Sequence, residues 1–328
     1  MSRESVPGPA VPLVSVGLPV FNGENYVAQA IGSVLTQTLT DFEVVIQDNA
    51  STDRTAEICR QFAALDSRVR YFRNPRNLGA APNYNLAFSI ARGRYFKWLA
   101  HDDRIEPGYL AATTRALDER PDAVLCNTVV RYIDANSEVI GLYDSGLARA
   151  DVAKPAERFA RTVLSSHSCV DFFGMIRRDA MKGSLLHGSF HGADRAFLAQ
   201  MALRGKFVQL AEPLVEMREH DNRYTRRQGR ATERRAWHNA SLRGRITFPT
   251  WRLYAEYMKL VRHEKLSAGE RARCYGVLAR WWGSNWNAAR AGVDVLAVLA
   301  PQAPSVAERI KTRLFGAAPG HFVSERRR

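Results

Sequence analysis

Two hydrophobic periodicities alternate through the first third of the chain. "LVSVGLPVF" (13–21) is an apolar run of strand length, and in "NGENYVAQAIGSVLTQ" (22–37) Val27, Ile31, Val34 and Leu35 recur at helical spacing. The same change of period follows again. "FEVVIQDN" predicts a strand, "STDRTAEICRQFAAL" a helix opened by capping residues, "VRYFRN" a strand, "APNYNLAFSIA" a helix closed by Gly93, and "YFKWLA" a strand. Four βα units in about 90 residues imply a largely parallel, doubly wound sheet with helices on both faces.

Beyond Pro121 the pattern changes. "DAVLCNTVVRYIDANSEVIGLY" predicts paired strands with a turn at Asp134 to Ser137, and "DVAKPAERFARTVL" predicts a basic helix. "SCVDFFGMIRRDAM" reads as a strand running into a helix start. "GADRAFLAQMALRG" reads as a helix with Phe197, Leu198 and Met201 on its buried side, and "KFVQLAEPLVEMREH" as a strand leading into a charged loop. An arginine-dense stretch from Arg223 to Arg245 follows. Helical stripes then place Tyr254, Tyr257, Met258 and Val261 together, and after them Cys274, Val277, Leu278 and Trp281, before a terminal "SERRR". These divisions define a flexible lead (1–11), a first half (12–120), a second half of the same domain (121–222) and a basic helical C-terminal extension (223–328).

Composition narrows the class. The 328 residues are 46% hydrophobic, enough for a substantial core, and 47 Lys and Arg against 33 Asp and Glu leave a formal charge of +14. That balance favours anionic partners such as nucleotides, nucleic acid or anionic lipid. The four cysteines are far apart without zinc spacing and read as reduced structural thiols. The first residues lack the apolar stretch of a signal peptide and no run of about 18 apolar residues occurs, so a cytoplasmic location is expected.

In doubly wound sheets ligands sit outside the carboxyl ends of the strands, and polar residues gather at these ends. They are Pro19, Phe21 and Asn22 after the first strand; Asp48, Asn49, Ser51 and Asp53 after the second; Arg76, Asn77 and Gly79 after the third; and Asp102 and Asp103 after the fourth. Ser51 and Asp53 also suit a helix cap, and "HDDR" also suits a solvated turn. Adjacent carboxylates become tolerable when a divalent cation lies between them and a phosphate. Asp48 can accept from the imide N–H of a uracil or thymine, with Phe21 or the Asn22 region flanking the base. Together these residues describe a nucleoside diphosphate site.

The run "VSVGLPVFNGENYVAQAIGSVLTQTLTDFEVVIQDNASTDRTAEI" with "NPRNLGAAPNYNLAFSIARGRYFKWLAHDDRIEP" resembles the family 2 glycosyltransferases of the GT-A fold over residues 12 to 220. The likeness rests on P-x-[YF]-N, D-[DN]-x-S-x-D-x-T, R-N-x-G and an Asp motif in order. It implies a GT-A fold with an acceptor-side subregion, and transfer from a UDP- or dTDP-sugar to an acceptor hydroxyl with inversion. It also implies a Mn2+ or Mg2+ cofactor and a glycan or lipid-linked acceptor, in polysaccharide or glycolipid synthesis, with peripheral contact at an anionic membrane on the inner face of the cell membrane.

Carried over by position, the resemblance makes Pro19, Phe21 and Asn22 the first nucleotide-contacting loop, Asp48 the base-binding residue, and Arg76, Asn77 and Gly79 the donor-site lining. Asp102 becomes the principal metal residue with Asp103 beside it, although Ala100 stands where the family's first aspartate usually is. Asp194 takes the catalytic-base position, with Ala193 replacing the preceding acid. "MREH" matches a late R-x-H that brings Arg218 to the diphosphate and His220 to the metal. An N-cap is the simpler reading of Asp194. His187 and His191 are expected to face acceptor or solvent. Two other classes compete. A nucleic-acid-binding protein would explain the charge, but helix-turn-helix, RNP and zinc patterns are missing, so no nucleic acid is expected. A sugar nucleotidyltransferase would need a glycine-rich, basic N-terminal loop that "LPVFNGENY" does not provide.

Overall fold

The first apolar run forms β1 (Val14–Val20), buried along its whole length. It is seen in a computed structural model that describes residues 11–220 and 248–300. Residues 1–10 of the expected lead, the arginine-dense stretch from Arg223 to Arg245 and the terminal "SERRR" lie outside the described residues. The alternation expected from the sequence continues as α1 (Val27–Leu35), β2 (Phe42–Asp48), α2 (Thr55–Leu65), β3 (Val69–Arg73), α3 (Ala80–Ser89) and β4 (Tyr95–Trp98). The first helix begins at Val27, the first residue of the expected stripe, and residues 22–26 form a loop whose contacts are described below.

β5 (Arg104–Ile105), α4 (Tyr109–Glu119), β6 (Ala123–Ile133), β7 (Val139–Tyr143), α5 (Pro155–Val163), β8 (Met175–Arg177), α6 (Arg178–Met181), α7 (Ala193–Arg204) and β9 (Lys206–Arg218) follow. The segment expected as strand into helix is first a single 3-10 turn, Val170–Phe173, and only then β8 and α6. The sheet order is β3-β2-β1-β4-β8-β6-β9-β5, with β7 paired to β6. β3, β2, β1 and β4 are mutually parallel, and β6 runs parallel to β9. β8 joins the two halves through antiparallel pairs, so the sheet is mixed and mostly parallel. The β6–β7 hairpin turns at Asp134–Ser137, where the Asp134 carboxylate accepts the Asn136 and Glu138 amides.

Helices cover both faces, as expected of a doubly wound sheet. Val16, Leu18 and Val20 of β1 share a core with Ile31 and Val34 of α1 and with Leu110 and Leu117 of α4. On the other face Phe96 and Trp98 pack with Phe172, Phe197 and Met201, and the Trp98 ring stacks on Phe172 at 4.5 Å. Three C-terminal helices, α8 (Pro249–His263), α9 (Ala268–Trp281) and α10 (Asn287–Leu299), complete the described chain. Tyr257, Val261, Cys274, Leu278 and Trp281 close a third core against Phe159 of α5 and Leu203 of α7. Met258, expected on that stripe, is exposed, and Leu260 takes its place in the core. All four cysteines are free and buried, as expected.

Candidate functional site

Parallel pairing decides where the site lies. Val20 of β1 is opposite Asp48 of β2, and Asp48 is opposite Arg73 of β3, so three strands end on one rung at the same edge. Asn22 leaves β1 in the left-handed conformation (φ 52°), which Asn tolerates better than most residues. Its N–H donates to Ser51 Oγ at 3.0 Å, and its side-chain oxygen accepts from the Thr52 N–H at 2.8 Å. Gly23 N–H donates to Thr55 Oγ1, Glu24 N–H to Asp53, and Arg54 N–H to Glu24. The loops after β1 and β2 are thus clasped together. Ser51 serves this clasp rather than a helix cap, whereas Asp53 holds both the Glu24 amide and the Thr55 amide and hydroxyl. Phe21 and Asn22 reach the surface, while Pro19 is buried inside β1.

Asp48 is fully buried. Its Oδ1 accepts the Ser51 N–H at 2.8 Å, and its Oδ2 accepts the Tyr71 hydroxyl at 2.6 Å and Arg73 at 3.1 Å. Burial and Asp48 together push the Tyr71 hydroxyl up to about 12, so it stays a donor at neutral pH. Beside Asp48 runs an amide network that was not anticipated. Gln47 donates to Asn74, Asn74 donates to both Asn49 and Asn83, and Asn49 donates to Asn77 and to the Gly79 carbonyl. Gly79 sits at φ 91°, a region that disfavours side chains, and its N–H donates to the Asn77 side chain. Arg76 and Asn77 face solvent at this edge.

The Asp motif lies beside the clasp. A Cβ on Gly23 would sit 2.5 Å from the His101 ring, so only glycine allows this approach. Pairing of β5 with β9, Arg104 opposite Glu216, brings the end of β9 under the motif. Asp102 Oδ2 lies 2.9 Å from His220 Nε2, and the His220 ring rests 5.2 Å from that of Tyr26. Asp103 points the other way: it is 4% exposed and accepts the Arg218 N–H at 2.9 Å. Arg218 is completely buried. Its guanidinium donates to the Asp102 carbonyl, the Asp134 carbonyl, Ser137 and Gln29, and covers the Tyr26 ring at 4.4 Å. Each of its three nitrogens donates within the chain, so Arg218, expected at the diphosphate, is bound instead to the backbone of Asp102 and to the Asp134–Ser137 turn.

Asp102 and His220 are hydrogen-bonded to each other at 2.9 Å. A carboxylate and an imidazole side by side are also a donor set whose chemistry fits a divalent cation, which would replace the shared proton. Asp103, expected beside them, is turned into the fold, and among the described residues no three acid, His or Cys side chains converge as a metal group. Beneath the motif Lys97 is wholly buried, donating to the Phe173 carbonyl and facing the Tyr109 ring at 4.6 Å. Burial pushes it down to about 7, opposed by Asp103.

Asp194 occupies the first turn of α7, one residue inside the helix. Gly192 (φ 85°) is at the cap, so the N-cap reading of Asp194 fails. Its Oδ1 accepts the Arg195 N–H at 2.8 Å, and burial, with Asp194 beside it, pushes the Cys169 thiol well up. His187, expected at the acceptor or in solvent, is instead buried against Tyr84 (5.0 Å) and Phe172 (5.4 Å), and burial lowers it. His191 is exposed. Asn85, on the helix that follows the Gly79 loop, holds the backbone of His187 in both directions. The loop leading to Asp194 is therefore fastened to α3.

The family model for Glycosyl transferase family 2 matches residues 15–184. Chondroitin synthase of Escherichia coli is 38% identical over 133 residues, 40% of this chain and 19% of that protein. The chain spans less than half the length of the first curated relatives it matches, 41–45%. Among solved structures, Staphylococcus aureus TarS 1-349 in complex with UDP-GlcNAc superposes with a TM-score of 0.58 at 16% identity, covering 82% of this chain and 72% of that one. The mannosyltransferase PcManGT of Pyrobaculum calidifontis, in complex with GDP-Man and Mn2+, gives 0.54 at 18% identity over 93% and 81%.

Proposed function

The chain belongs to glycosyl transferase family 2 and is a glycosyltransferase of GT-A architecture, and from that premise we propose that it moves a sugar from a UDP- or dTDP-linked donor to an acceptor hydroxyl with inversion. The observation that carries this reading is the edge at which the clasped Asn22 and Ser51 loops, Asp48 and the Asp102–His220 pair gather. Phe21 flanks the base and Asp48 reads it, with Arg76, Asn77 and Gly79 lining the sugar and phosphate side. Uridine nucleotides fit because their imide N–H meets a carboxylate acceptor, and the UDP-GlcNAc bound to TarS supports the same class.

Asp194 takes the acceptor hydroxyl's proton as that oxygen forms its bond to the anomeric carbon, from the face opposite the departing diphosphate. Asp102 and His220 would hold a divalent cation, which when bound offsets the charge gathering on the leaving diphosphate; the Mn2+ in PcManGT supports that assignment. Arg218 acts behind Asp102 by fixing its backbone. Residues 12–120 form the nucleotide half and 121–222 the acceptor half, with the remainder a basic helical extension. The acceptor is a glycan or a lipid-linked sugar of surface polysaccharide or glycolipid. The charge of +14 suits peripheral contact with an anionic membrane, and no described helix is long and apolar enough to cross one.

Calorimetric titration of UDP with Mn2+ and a donor-turnover assay test the reading. Asp102→Ala should weaken UDP binding, and Asp194→Asn should abolish transfer with UDP still bound. Unchanged affinity in the first or unchanged transfer in the second refutes the corresponding role.

A further inference from the structure

The first turns of α8 pack against the loop that leads into Asp194. Leu253 lies where it would meet a Cβ on Gly192 at 3.3 Å, and the Arg252 guanidinium covers the Phe190 ring at 5.4 Å. On this same stretch three aromatic rings adjoin. Trp251 and Trp282 are 5.1 Å apart, Tyr254 and Trp282 are 4.7 Å apart, and the Trp251 Nε1–H is tied to the Ala291 carbonyl. Their inner neighbours Trp281 and Tyr257 are fully in the core, but Trp251 is 46% exposed and Tyr254 and Trp282 are half-buried.

A core needs no tryptophan left nearly half in water. The apolar C–H face of a pyranose is an apt cover for such a ring, because it buries aromatic area while the hydroxyl edge stays hydrated. Polar partners for hydroxyls stand at the margin: Arg252, paired with Glu256, and His191 in the loop before Asp194. The arrangement has the few directional groups around an apolar floor that small-molecule sites show.

We propose that Trp251, Tyr254 and Trp282 form the platform on which the acceptor sugar stacks. This rests on the reading of Asp194 as the base, since Leu253 and Arg252, between Trp251 and Tyr254 on α8, touch the loop that leads to it. The C-terminal helices are then part of the acceptor site, and their role is to hold a pyranose ring by its face, leaving the identity of the hydroxyls to Arg252 and His191.

Saturation-transfer NMR with maltohexaose, chitohexaose and mannohexaose tests this on the full chain. The three chains present pyranose C–H faces that differ in configuration at C2 and in linkage, so at least one of them should receive saturation, strongest on the axial C–H protons. Trp251→Leu keeps apolar bulk but removes the ring and should weaken binding roughly tenfold, while Trp251→Phe should retain most of it. Absence of transfer to all three sugars, or equal transfer in Trp251→Leu, overturns the proposal. So does cosedimentation with phosphatidylglycerol vesicles that Trp251→Leu abolishes without any sugar signal, which would make this a membrane contact. UDP affinity of the wild type is measured separately, and its absence would defeat the donor reading alone.

Discussion

Asp102 and His220 meet side chain to side chain at 2.9 Å although 118 residues separate them. The contact is built by the short β5–β9 pairing, which fixes the segment after Asp103 to the end of β9. The Asp motif and the late histidine are thus two ends of one structural unit. His220→Ala should weaken UDP binding at least tenfold when Mn2+ is present and much less in chelator, because on the proposed reading it removes one of the two side chains that would share the cation. Calorimetric titration in both conditions measures this. Equal losses with and without Mn2+ would assign His220 to the nucleotide instead.

Arg218 lies under that unit. It is wholly buried, and its guanidinium links Asp102, Gln29 and the Asp134–Ser137 turn. A lysine cannot span these acceptors with one compact ammonium group. Arg218→Lys should lower stability by roughly 3 kcal/mol, as expected when a buried charge loses partners, and should weaken UDP binding as well. Urea unfolding gives the first quantity. A variant as stable as the wild type would show that the guanidinium fork is not what holds the turn and the Asp motif together.

The strand and helix periods made the first half legible, since β1 to β4 are short, apolar and punctuated by polar loops. Asp102 and His220 were legible through motifs. What a linear reading lacks is register. That Asp48 meets Arg73 and Tyr71, or that Asp103 turns inward to the Arg218 amide, follows from which residue stands opposite which across the sheet. The same holds for the loop after β1: the helical stripe starts at Val27, but that the preceding amides are captured by Ser51, Thr55 and Asp53 was not legible. His187 misled for a different reason, because a glycine-rich flank suggests exposure while Tyr84 and Phe172 cover the ring.

Asn74 stands at the centre of the buried amides, donating to Asn49 and Asn83 and accepting from Gln47. Asn74→Ala takes a hydrogen bond from each of three buried partners, of which Asn49 keeps the Leu78 amide while Gln47 and Asn83 lose theirs. A cost of about 2 kcal/mol is expected from unmet hydrogen bonds, together with weaker UDP binding because Asn49 positions Asn77 and Gly79. Thermal unfolding and nucleotide titration check both. Stability lost with UDP affinity unchanged would separate the network from the donor site.

Asp171 supplies a test by pH away from the donor edge. It is wholly buried beside Asn127 and Ser145, and its Oδ2 has no partner among the described residues. Burial pushes its carboxyl up to about 7, with the Ser145 hydroxyl opposing. Since the folded value lies above the unfolded one near 3.8, the folded state holds the extra proton. The stabilisation is complete below about pH 4 and is lost as pH rises towards 7. Asp171→Asn mimics the protonated acid and removes this dependence. Unfolding free energies measured from pH 4 to 8 should therefore fall with pH in the wild type relative to the variant, by an amount on the order of a few kcal/mol. Parallel curves would mean that Asp171 keeps its charge in the folded protein.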